Sequence, residues 1–191
     1  QPLKDTLIIK GQITVNNKDV GPNFHKVIWA TCGDDNLTAD KSTKVDPCLK
    51  LIVGYPLMIT SKKEKKRKLV KGMTGAFIGV KWKVGHTPHV EDYHGYKVNC
   101  AHVSDLECII IQLHENEKCV QIHPENFRPT IKMEGFSQDN ILRGYQITQF
   151  PINISLAITG HKLQGMTVDL LILAELNQTM NWLYVLLSRV T

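Results

Sequence analysis

The apolar residues of this 191-residue chain come in short runs broken by turn-forming residues, and that punctuation limits what it can fold into. Leu7-Ile8-Ile9 and Val27-Ile28-Trp29-Ala30 open the chain, with polar, turn-rich stretches such as Val15-Asn16-Asn17-Lys18-Asp19 between them. Residues 33–47 are polar and end at Pro47, so they read as a surface loop. Residues 49–60 are rich in strand-formers but interrupted by Gly54 and Pro56. Proline cannot donate to a central ladder, which predicts either two short strands or one edge strand with a bend. Gly72-Met73-Thr74-Gly75 reads as a turn into the strand Ala76-Phe77-Ile78-Gly79-Val80. A polar, histidine-rich segment at 82–105 precedes Cys108-Ile109-Ile110-Ile111-Gln112-Leu113, a turn at 114–118, and Cys119-Val120-Gln121-Ile122. Short strands with turns between them predict a small all-β barrel, with the polar residues 123–148 wrapped around it.

The last forty residues follow another grammar. Residues 152–159 read as a strand, 160–165 as a turn or short helix, and 168–174 as a strand covered on both faces. Residues 181–188 place Leu183, Leu186 and Leu187 at helical spacing. Strand, turn, strand, helix is α/β organisation. The chain stops at Arg189-Val190-Thr191, inside an element, as expected of a piece of a longer protein. With 42% hydrophobic and 21% charged residues it can bury a core. No apolar run approaches the ~18 residues of a membrane span, and the N-terminal apolar stretch is too short for a signal peptide. Cysteines 32, 48, 100, 108 and 119 are odd in number and irregularly spaced, which predicts free thiols in a reducing compartment.

The net charge of +5 is unevenly placed. Residues 61–71, SKKEKKRKLVK, carry seven basic residues and one acidic, a net +6, leaving 5 − 6 = −1 for the rest. Such a run is a solvated turn, a contact for nucleic-acid phosphates, or a nuclear-localisation signal.

The strongest motif is Ala157-Ile158-Thr159-Gly160-His161-Lys162-Leu163-Gln164-Gly165-Met166-Thr167, followed by Trp182-Leu183-Tyr184-Val185-Leu186-Leu187-Ser188-Arg189. Together they resemble motifs V and VI of superfamily-one helicases, in the form found in the PIF (petite-integration-frequency) DNA helicases and their RecD-like relatives. Upstream, Leu49-Lys50-Leu51-Ile52-Val53-Gly54-Tyr55-Pro56-Leu57-Met58 resembles that family's LKVGAPVML segment, and Leu69-Val70-Lys71-Gly72-Met73-Thr74-Gly75 its LVNGTRG segment. All four stand in the family's order, over roughly residues 48–191. Lys71 replaces the usual Asn, Gly160 and Leu163 depart from the usual motif V, and the basic run stands where the family has a plainer turn.

The resemblance implies an α/β fold: a second RecA-like helicase domain with an inserted Src-homology-three-like barrel. Residues 1–68 and 149–191 would form the two parts of that domain, and 69–148 the barrel. It implies ATP with Mg²⁺ as cofactor and single-stranded DNA as partner, in the nucleus or mitochondrion and not at a membrane. Arg189, at the end of a helix, would be an arginine finger, always charged and matched to phosphate as a bidentate fork. Gln164 would orient water or the γ-phosphate, and Gly165 would let backbone approach phosphate closely. Thr159, His161 and Lys162 would donate to nucleic-acid phosphates, with Lys65, Lys66 and Arg67 adding charge from the basic run.

No G-x-x-x-x-G-K-[ST] loop occurs, nor an acidic Mg²⁺ motif after an apolar strand. The family carries both in an N-terminal RecA-like domain, so the chain would complete an ATP site with that domain as partner, and the isolated chain would be inactive. The alternatives are a viral-type superfamily-one RNA helicase and a non-catalytic nucleic-acid-binding relic. The cluster His86, His89, His94, Cys100 and His102 matches no familiar zinc-finger spacing. These histidines are expected on a solvent-facing loop, with no metal. Trp82, Tyr93 and Tyr96 would stack bases or pack a barrel core.

Overall fold

Alternating burial and turn chemistry divide the chain into thirteen strands among the residues that the computed structural model describes: 6–15, 18–22, 46–61, 69–93, 95–128, 145–155, 184, 187, 188 and 190. The strands are β1 (Thr6–Lys10), β2 (Gln12–Val15), β3 (Lys18–Asp19), β4 (Cys48–Ile52), β5 (Pro56–Ile59), β6 (Thr74–Trp82) and β7 (His89–Tyr93). They continue with β8 (Tyr96–His102), β9 (Leu106–Leu113), β10 (Cys119–Ile122), β11 (Glu125–Phe127), β12 (Tyr145–Gln149) and β13 (Ile152–Ile154). They form three sheets, in the orders β4-β1-β8-β7, β10-β9-β6-β5-β13 and β11-β12-β2-β3.

One core joins the first two sheets. Ile9, Leu49, Leu51 and Ala101 from the first meet Leu57, Ile59, Phe77, Ile109, Ile111, Leu113, Ile122 and Ile152 from the second. In β9 the alternation slips: Leu106 is buried, but so are Ile109, Ile111 and Leu113. The ladder to β6 accounts for it, because the register shifts between Lys81 and Trp82 and again between Phe77 and Gly79. At the second shift Ile78 has no partner opposite and is 43% exposed, the usual fate of a bulged residue.

The segment 49–60 resolves into two strands, β4 and β5, joined at Gly54, whose φ of 85° favours glycine. Pro56 is the first residue of β5, where its missing N–H costs little. The edge-strand alternative fails, since β5 lies between β6 and β13. The turn before β6 centres on Gly72, with φ 101°, and Thr74 and Gly75 already belong to the strand. Gly75 is there because β6 and β9 approach closely: a Cβ would lie 2.4 Å from the Gln112 carbonyl oxygen.

Two expectations need correction. The segment 82–105 contains the hairpin β7–β8, whose alternating polar residues hid strands that are half exposed. The stretch 123–148 is not all wrapping, since β11 and the start of β12 lie within it. Of the expected 152–159 strand, β13 covers Ile152–Ile154, and residues 156–159 lie outside the described residues.

The chain divides into two compact units, Gln1–Ile154 and Ser155–Thr191. Strand pairing crosses the expected division at 68/69, as β1 pairs with β8 and β5 with β6. The expected division at 148/149 falls inside β12.

Candidate nucleic-acid interface

The basic run is a connection between neighbouring strands, and both its feet are fixed. Ser61 is 2% exposed, and its hydroxyl donates to Glu125 Oε1. The Thr60 N–H donates to the Pro151 carbonyl at 2.8 Å. On the return side Leu69 is buried in the core. The Gly72 N–H donates to the Ile59 carbonyl, and the Ile59 N–H to the Met73 carbonyl, both at 2.8 Å. The described feet of the run therefore follow β5 and precede β6, two adjacent inner strands of a five-stranded sheet. Lys65, Lys66 and Arg67 themselves lie outside the described residues.

The motif V-like segment follows β13. That strand pairs antiparallel with β5, Ile152 opposite Ile59 and Ile154 opposite Leu57. The chain thus leaves the first unit at the end of β5 away from the basic run. Thr159, His161, Lys162, Gln164, Gly165 and Arg189 all lie outside the described residues, as do all of 168–174 and most of 181–188.

Of the aromatic candidates, Trp82 packs partly buried against the core and is no stacking platform. Tyr96 is 66% exposed. The Tyr93 side chain lies outside the described residues.

The histidine cluster proves to be a strand feature. His89 and Cys100 are cross-strand partners in the β7–β8 hairpin, and Glu91 and His102 lie two residues along on the same face. Glu91 is the hub: its carboxylate takes the Lys10 ammonium at 2.5 and 2.6 Å and pairs with His89 Nε2 at 2.8 Å. Burial pushes the Glu91 carboxyl up, but the bonds and charges of Lys10 and His89 outweigh it and hold it below the usual range. The rings of His89 and His102 stack with centroids 5.7 Å apart. Burial lowers the His102 pKa, against the pull of Asp105. Cys100 is fully buried beside Ile8, Cys48 and Val98. Burial, then the Glu91 charge, raises its thiol to about 11. His86 pairs instead with Asp105, at 3.2 Å, and His94 lies outside the described residues. The expectation of loop histidines is thus corrected for His89 and His102. The legible signal was the pair of patterns His89-x-Glu91 and Cys100-x-His102, the period of a strand.

No protein-family model and no curated protein matches the chain. Among solved structures, the chain is similar to the Pif1 helicase from Candida albicans, with a TM-score of 0.52 and 19% identity, covering 97% of this chain and 37% of that one. It is also similar to the Pif1 helicase from Bacteroides in complex with ADP-AlF3 and single-stranded DNA, with a TM-score of 0.50 and 21% identity, covering 88% of this chain and 36% of that one. The chain therefore spans little more than a third of these proteins. At such identities the likeness is one of fold: over this third, the chain has a Pif1-like helicase fold.

Proposed function

We propose that this chain is the C-terminal part of an ATP-dependent 5′-to-3′ DNA helicase of the Pif1 type. It would be the second RecA-like domain, with the adjacent strands β6, β9 and β10 contributing to an inserted small barrel. The observation that supports this reading is the order of the four family-like segments, at 49–58, 69–75, 157–167 and 182–189, in a chain whose fold matches Pif1 structures. The first two have clear physical roles: Gly54 and Gly72 take positive φ at strand junctions, and Gly75 admits the β6–β9 approach.

In this reading ATP and Mg²⁺ are held mainly by an N-terminal RecA-like domain. Phosphoryl transfer needs positioning and neutralisation of the charge spread over the γ-phosphate oxygens. Arg189 supplies that charge, Gln164 orients water or phosphate, and Gly165 brings backbone close. Thr159, His161 and Lys162 hold single-stranded DNA by its phosphates, and Lys65, Lys66 and Arg67 add sequence-independent attraction.

The test joins the chain to a Walker-bearing first domain and compares it with Arg189→Ala. Turnover should fall on the order of 10³-fold, while DNA binding without nucleotide stays the same. The isolated chain should bind single-stranded DNA at low salt without ATPase activity. Near-parent turnover in the alanine variant removes Arg189 from the chemistry, and turnover by the isolated chain that is lost on Arg189→Ala defeats the two-domain reading.

A further inference from the structure

We propose that the outer face of the β7–β8 hairpin is a zinc site, with His89, Glu91 and Cys100 as ligands and water in the fourth position. One ligand atom from each of the three residues lies within 4.8 Å of the other two. Ligands sharing one tetrahedral zinc, with bonds of about 2.0–2.3 Å, stand roughly 3.3–3.8 Å apart. Side-chain rotation of an ångström or so therefore closes the set without moving the backbone.

The backbone that presents these ligands is rigid. His89 and Cys100 are direct cross-strand partners, and Glu91 follows His89 on the same face. β8 is held on its other side by β1, with Ile8 opposite Cys100. Access is one-sided: the His89 and Glu91 side chains are 42% and 36% exposed, while Cys100 is closed off beneath them. An ion can enter from solvent and meet a thiol in a dry floor.

The donor set chooses the metal. One thiolate, one imidazole and one carboxylate suit a borderline-soft ion, whereas Mg²⁺ and Ca²⁺ take all-oxygen shells. The face already seats a cation, since the Lys10 ammonium rests on the Glu91 carboxylate. Zinc takes one carboxylate oxygen and displaces the Cys100 thiol proton to solvent, and no electrons move. The nearby ammonium opposes the ion, so removing its charge should strengthen binding. The His102 ring stacks on His89 at an interplanar angle of 19°. Bound metal would clip β7, the outermost strand of its sheet, to β8.

The test titrates the reduced 191-residue chain with Co²⁺ and then displaces it with Zn²⁺. One equivalent of Co²⁺ should give thiolate-to-cobalt charge-transfer absorption and the visible bands of four-coordinate cobalt, and zinc should abolish both. Cys100→Ser should remove the charge-transfer band, and Cys119→Ser, at an exposed thiol, should keep it. Because Cys100 is buried, His89→Gln provides a second arm on the surface: affinity should fall by about tenfold or more with the circular-dichroism spectrum unchanged. Lys10→Met should raise affinity. A folded chain that gives no band at one equivalent, or a band that survives both Cys100→Ser and His89→Gln, overturns the site.

Discussion

Gln149 is fully buried, and its amide joins three separate pieces of chain. Nε2 donates to the carbonyls of Ile9 and Pro47, each at 3.2 Å, and Oε1 accepts the Phe150 N–H at 3.0 Å. Gly11 makes room for it, since a Cβ there would lie 3.2 Å from Nε2 and 3.1 Å from the Pro47 oxygen. Replacing Gln149 with Leu keeps the volume and removes all three bonds. The Pro47 oxygen keeps the Gly11 N–H at 2.7 Å and Ile9 stays in its ladder opposite Leu49, so the loss falls on the Phe150 N–H. A buried group deprived of its partner costs about 1–3 kcal/mol, less what the new methyl groups recover. With a urea m-value of about 2 kcal/mol/M, the midpoint should fall by about 0.5–1.5 M. Urea unfolding followed by tryptophan fluorescence reads this directly. Gln149→Glu keeps an acceptor for Phe150 but turns a carboxylate toward two carbonyls, so its loss should shrink at acid pH, where the protonated group donates again. An unchanged midpoint with an unchanged m-value in the leucine variant would falsify the claim that this amide is a structural junction.

Gly75→Ala should lower the melting temperature, because its Cβ would meet backbone that cannot move alone; overpacking of this kind costs about 1–3 kcal/mol, and each kcal/mol is worth roughly 2–4 °C. A calorimetric scan that shows no change refutes the close approach. Burial raises the Asp46 pKa, against the Cys48 N–H bond and the charge of Lys50. The folded state therefore holds that proton more tightly than the unfolded state, and this contribution to stability is lost as pH rises through the folded pKa. Asp46→Asn should be the more stable protein at neutral pH, with the difference vanishing below about pH 4; urea midpoints across pH check it, and an advantage for aspartate that grows with pH refutes it. Changing Lys65, Lys66 and Arg67 together to Gln should flatten the salt dependence of single-strand binding by about 2 logarithmic units per decade of salt, at ~0.7 for each phosphate that is no longer neutralised, whereas an unaltered slope makes the run a solvated turn.

Strands built on short apolar runs were legible in the sequence: Leu7-Ile8-Ile9 became part of β1, and the isoleucine run part of β9. The hairpin β7–β8 was not, because a strand with one polar face looks like loop when its histidines are read for spacing alone. Pairing was not legible either. Nothing local to Leu7-Ile8-Ile9 tells it to lie parallel to β8, because that choice belongs to the packing of the whole core. The same holds for Gln149, which reads as an ordinary strand glutamine until the carbonyls of Ile9 and Pro47 arrive beside it. The motif-like segments at 157–167 and 182–189 lie mostly outside the described residues, so their chemistry rests on the sequence. The residues of the proposed zinc site were visible as types, but only strand pairing brings His89 opposite Cys100.

The central place of β1 in its sheet has a consequence for how the chain is made. Its antiparallel neighbour β4 ends at residue 52, but its parallel neighbour β8 ends only at residue 102. At about 5–20 residues per second of synthesis, β1 waits roughly 5–20 s for the second partner after it has itself been made. β2 waits longer still, since β12 ends at residue 149. Through that interval Ile8 and Ile9 sit on a strand with one open edge, a template for any other nascent chain. A ribosome-bound intermediate ending before β8 is thus the state most exposed to misassembly, and the state a chaperone has most reason to hold.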